Sequence, residues 1–152
     1  MEFLKKQGLT FILNVALGLF TLISMILYFV NKALPYFIEA NVSFEIILFL
    51  VLALVCVIAN IAIAFTPIKG NKIVDIVCDI LSAAVPFLLF GAAIYFLSDR
   101  IYYYGVALGS DLEAGNVVAH QSCAGAIVAT AFMFFSGLLS IVANFFKKPT
   151  ER

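Results

Sequence analysis

The sequence predicts an all-α membrane protein, a four-transmembrane-helix antiparallel bundle, and three observations carry that prediction. Of its 152 residues, 64% are hydrophobic and 12% charged, against roughly 45–50% and about 25% in an ordinary soluble domain. Four windows, at about 9–30, 44–66, 73–97 and 123–146, have the length of mainly apolar chain that crosses about 30 Å of hydrocarbon, roughly 20 residues. None alternates with a period of two as a barrel strand does, so the backbone in lipid must be satisfied by helices. Connections of about 13, 6 and 25 residues leave no second unit. Residues 1–152 therefore read as a single domain with short loops and a small outer loop between the third and fourth helices.

The first window opens like a signal peptide, with Lys5 and Lys6 before an apolar run. That run, about 22 residues, exceeds the 7–15 of a signal core, and Val30-Asn31-Lys32 offers no small-residue cleavage pattern, so a retained helix is expected. Thr10, Asn14, Gly18 and Thr21 make a small and polar stripe along it. Such stripes pack on other helices in lipid, because small residues allow close approach and polar ones find partners there. The second window carries Ala53, Cys56, Asn60 and Ala64 in the same way, and the third Asp75, Asp79, Ser82 and Pro86. The fourth carries Ser122, Ala126, Thr130, Ser136, Ser140 and Asn144. The Phe-, Leu- and Ile-rich faces are left for lipid.

Depth groups some of these residues. The tight connection at 67–72 puts Asn60 six residues before one helix end and Asp79 six after the next start, a common level about 9 Å in from the boundary. Asn14 lies at a similar depth, with Ser140 close by and Asn144 nearer the boundary. Asn14, Asn60, Asp79, Ser140 and Asn144 are thus the candidate intramembrane polar layer, in which the asparagine amides would hold the Asp79 carboxylate. An unpaired carboxylate facing hydrocarbon would cost about 2.5–3.5 kcal/mol or more. Pro86 lacks the backbone donor that would bond the Ser82 carbonyl, so a kink is expected in the middle of the third helix.

Beyond that helix, Asp99, Arg100 and Tyr102 to Tyr104 suit a headgroup-level loop, and Ser110 followed by Glu113 resembles a capping box that would start a short helix or turn. Arg100, Tyr103, Asp111, Glu113 and His120 are the candidate outer-loop contacts. His120 is the single histidine, and a metal site needs several convergent ligands, so neither metal nor cofactor is expected. Cys56, Cys78 and Cys123 form no paired-cysteine motif; Cys56 and Cys78, within spans, read as small apolar fillers, while Cys123 is expected near the outer surface, open to oxidation but with no second exterior cysteine to pair with.

With four spans, Lys5, Lys6, Lys69, Lys72, Lys147, Lys148 and Arg152 share one side and only Lys32 and Arg100 the other. The positive-inside rule then puts both termini in the cytoplasm of a cell membrane, plasma or bacterial inner. A formal net charge of zero argues against a nucleic-acid partner. With no nucleophile–base pair and no nucleotide loop, the expectation is no enzyme. The reading is a non-catalytic structural or accessory subunit of a membrane assembly, packed by lipid and by copies of itself or a larger membrane protein. The alternative is an oligomeric channel or transporter for protons, cations or a small solute, built on the layer around Asp79.

Overall fold

The computed structural model describes the backbone of residues 2–38, 40, 43–65 and 71–146, and within these the side chains from Gly8 onward, Ala64 excepted. Four α-helices account for most of it: α1 Glu2–Lys32, α2 Phe44–Ala64, α3 Lys72–Gly109 and α4 Val117–Phe145. Short 3₁₀ turns lie at Pro35–Phe37 and Asp111–Glu113, and there is no strand among the described residues. All four helices contain a stretch long and apolar enough to cross a membrane: Gly8–Lys32, Phe44–Ile63, Lys72–Gly109 and Val117–Phe145.

Local chemistry sets the boundaries. Gly8, at φ 76° and ψ 175°, interrupts α1, a left-handed conformation that costs glycine little because it has no Cβ. Asn71 starts α3 by accepting the Ile73 N–H at 3.0 Å. Asn116 starts α4 by accepting the Ala119 N–H at 3.2 Å. Each satisfies one of the donors that a helix N-terminus leaves unpaired.

The third helix is where the structure departs most from the sequence reading. It ends at Gly109 rather than about 97, and α4 begins at Val117 rather than about 123, so the connection shrinks to residues 110–116. Asp99 and Arg100 end the hydrophobic window without ending the helix. Leu89, Ala93, Phe96, Arg100 and Ala107, at intervals of four, three, four and seven, remain buried along one face, the stripe of a packed helix. Tyr102, Tyr103 and Tyr104 therefore ride on α3 instead of a loop. Within the short connection Ser110 does cap the expected turn, accepting the Leu112 N–H at 3.3 Å.

Each helix packs on two neighbours, in the cyclic order α1, α2, α3, α4. Along α1 and α4 the contacts run in opposite sequence order: Thr10 Oγ1 donates to the Phe146 carbonyl at 2.6 Å, Ser24 and Ser136 hydroxyls meet at 3.2 Å, and Asn31 Nδ2 donates to the Ser122 carbonyl at 3.1 Å. Small residues set the closeness of α3 and α4. A Cβ on Gly137 would lie 2.8 Å from the Phe90 ring. Buried hydroxyls turn back on their own helices, Thr21 to the Leu17 carbonyl at 2.8 Å and Thr130 to that of Ala126 at 2.8 Å. Cys56, Cys78 and Cys123 are all buried and none is in a disulfide. Of the basic residues used for orientation, Lys69, Lys147, Lys148 and Arg152 lie outside the described residues.

Candidate functional site

Polar side chains gather at two levels of the bundle. The first lies toward the end where Thr10 meets Phe146, here the terminal end. Asn14 from α1, Asn60 from α2, Ser82 from α3, and Ser140 and Asn144 from α4 line one narrow cleft with Leu17, Val57 and Val85. The cleft is too narrow to hold a water. Four members of the sequence-derived layer, Asn14, Asn60, Ser140 and Asn144, therefore do converge.

Asp79 does not line that cleft and is exposed on α3. The inward line of α3 at this level runs through Cys78, Val85 and Leu89, and consecutive residues lie about 100° apart around a helix. Asp79 is consequently carried out of the interior, and the α3 member of the layer is Ser82, whose hydroxyl donates to the Cys78 carbonyl at 2.6 Å.

Pro86, buried within α3, explains the link between Ser82 and Asn144. A proline at 86 cannot donate to the carbonyl at 82. Asn144 Nδ2 does so instead, at 3.0 Å across the interface. The residues from Lys72 to Gly109 remain one uninterrupted helix through this point.

The second level lies at the opposite, distal end and centres on Arg100. Its side chain is 1% exposed. The guanidinium carbon stands 4.3 Å from the centroid of the Phe37 ring and 5.2 Å from that of Phe96, within range of attraction to the aromatic faces. Nε donates to Asn31 Oδ1 at 3.3 Å, and the same Asn31 reaches α4 through its amide, so one side chain ties α1 to both partners. Nη1 is enclosed with no hydrogen-bond partner, as is the hydroxyl of fully buried Tyr28. Tyr28 packs edge-on against Phe96 at 5.5 Å, which puts the cation and the tyrosine around one ring.

Asp99, next to Arg100 in sequence, is committed elsewhere. Its Oδ2 accepts the Ser43 N–H at 2.9 Å and its Oδ1 the Ser43 hydroxyl at 2.8 Å. It thereby sits at the N-terminus of α2, where a negative charge is favoured by the aligned peptide dipoles.

The other outer residues singled out from sequence distribute differently. Tyr103 belongs to this cluster, its ring 5.3 Å from Phe37 and 5.9 Å from Tyr36. Glu113 Oε2 accepts from Asn116 Nδ2 at 2.6 Å, and Asp111 and His120 are exposed. Burial, and then the Glu113 carboxylate, push the Tyr36 hydroxyl above the ordinary tyrosine range, which keeps it a neutral donor. Among the described residues no group of three or more His, Cys, Asp or Glu side chains could hold a metal ion.

Asn31, Phe37 and Phe96 were not candidates in the sequence. The available signal was the 3.6-residue periodicity, which carries the buried face through Phe96 and Arg100 and so turns an arginine at the end of a hydropathy window into an interior residue. No protein-family model matches the chain, and no curated protein or solved structure matches it either.

Proposed function

We propose that the chain is a non-catalytic subunit of a membrane assembly, an antiparallel four-helix unit with both termini in the cytoplasm of a cell membrane. The observation that carries this reading is the distal extension of α3 and α4. Asp79 and Asp99 stand twenty positions apart on α3 with no charged residue between them, about 30 Å along a helix, which equals the hydrocarbon thickness. With those carboxylates at the two headgroup levels, residues 101–109 and the start of α4 project beyond the lipid. Yet Ile101, Leu108, Leu112, Val117 and Val118 are exposed there, Leu112 at 95%. Exposed apolar residues gathered outside the bilayer are the mark of a surface that another protein covers.

The same placement puts Asp79 in the headgroup region, where its exposure is inexpensive. It also draws support away from a transport role, because the polar cleft beside it admits no water and Asp79 does not face it. The test is purification in mild detergent followed by cross-linking from Leu112→Cys. Recovery of a reproducible partner, another copy or a second membrane protein, supports the subunit reading. A monomer that moves protons or cations in liposomes, with flux lost in Asp79→Asn, would replace it with the transport reading.

A further inference from the structure

We propose that Arg100 is the core of an anion-binding site at the distal end of the bundle, taking a phosphate oxygen. The argument begins from charge. A guanidinium carries five N–H donors and cannot shed its proton under ordinary conditions, and burying its donors without acceptors is costly. Here the side chain is 1% exposed, one donor is used on a neutral amide at 3.3 Å, and Nη1 is enclosed with no acceptor. The Asp99 carboxylate beside it in sequence acts on the cation through space, but both its oxygens accept hydrogen bonds from Ser43.

A second donor points to the same ligand. The Tyr28 hydroxyl is fully enclosed and without a partner, and the Tyr28 ring packs on the same Phe96 ring as the guanidinium. Two unfilled donors of different kinds, on side chains that share one aromatic ring, call for an acceptor with several oxygens and negative charge. Phosphate meets that need, because guanidinium N–H groups match its oxygens in pairs. The piece that covers the cation is the Pro35–Phe37 turn, which lays Phe37 over it and has no side-chain cap at its N-terminus. Displacement of that single turn would open Nη1 to an oxygen arriving from the headgroup level.

The phosphate could come from an anionic lipid or from solution, and the experiment separates the two. The full chain, purified in neutral detergent, is unfolded thermally with inorganic phosphate against chloride at equal ionic strength, and with phosphatidylglycerol against diacylglycerol. The midpoint should rise by about 5 °C in the arm that supplies the ligand, and Arg100→Gln should lose the rise. Tyr28→Phe should retain part of it. Arg100 and Arg152 are the two arginines of the chain, so Arg152→Lys leaves one guanidinium, whose ¹⁵N resonances report binding with Arg100 intact even if Arg100→Gln does not fold. Saturable shifts of those resonances in either phosphate arm are the expected result. Resonances that ignore both phosphates, or an Arg100→Gln protein that responds as the wild type does, would overturn the proposal. Neither outcome bears on whether the projecting tip binds a protein partner.

Discussion

The Asn144 side-chain amide on α4 donates at 3.0 Å to the Ser82 carbonyl on α3, the acceptor that Pro86 leaves without its helical donor. A gap in the hydrogen-bond ladder of one helix is thus filled by a neighbour, which makes proline in the middle of a membrane helix tolerable and ties α3 to α4 at this level. Asn144→Ala should cost about 1–3 kcal/mol, the penalty for a polar group left unsatisfied in a buried setting. In a Pro86→Ala background the cost should fall, because the restored N–H at 86 can take the same carbonyl. A double-mutant cycle by reversible unfolding in mixed micelles measures the coupling. Equal costs in both backgrounds would show that the contact does not compensate for the proline.

Packing of the same two helices depends on Gly137, where an added Cβ would come within 2.8–3.1 Å of three Phe90 ring atoms. Phe90 is itself held against Phe134 at 5.7 Å, so the ring has little room to yield. Gly137→Ala should destabilise by about 1–3 kcal/mol, the range for overpacking a tight interface. Gly105→Ala, at a helical position with nothing within 4 Å, should instead be neutral or stabilise by up to about 1 kcal/mol through backbone entropy. The two measurements in one assay decide whether close approach or helix propensity governs these glycines.

Asn31 joins three helices, accepting from Arg100 Nε at 3.3 Å and donating to the Ser122 carbonyl at 3.1 Å. Asn31→Leu keeps approximate size but removes both bonds and strips the buried cation of the acceptor it has. A loss of about 3–5 kcal/mol is expected, in the range found when a buried charge loses its partner. A loss under about 1 kcal/mol would mean that Arg100 relaxes to another acceptor without cost.

Labelling with a membrane-impermeant maleimide tests both depth and orientation. In inverted and right-side-out vesicles, Glu113→Cys should react from the outside and Lys69→Cys only from the cytoplasmic face. Asp79→Cys, at an exposed position, should react from the same face as Lys69→Cys. Ser140→Cys, at a site 1% exposed, should resist from either face. Protection at 79 equal to that at 140 would return Asp79 to the bundle interior.

Much of this protein is determined by composition alone. The count of spans and the all-helical class follow from the length of apolar runs, because a bilayer of fixed thickness demands about 20 such residues and a satisfied backbone. The convergence of Asn14, Asn60, Ser140 and Asn144 was also legible, since depth along a helix is residue number multiplied by a constant rise. Rotation about the helix axis was not. Asp79 is exposed on α3 and Ser82 takes its place in the cleft, because a step of about 100° separates Asp79 from Cys78 and only the packing of α3 against its neighbours decides which azimuth is buried. The end of α3 escaped for a related reason. Hydropathy marks where lipid stops, while a helix continues as long as its face has something to pack on, and Phe96 and Arg100 found Tyr28 of α1 and the Pro35–Phe37 turn. An arginine that reads as the edge of a loop thereby became a buried cation between two phenylalanine rings, a placement that exists only once three helices and a turn have come together.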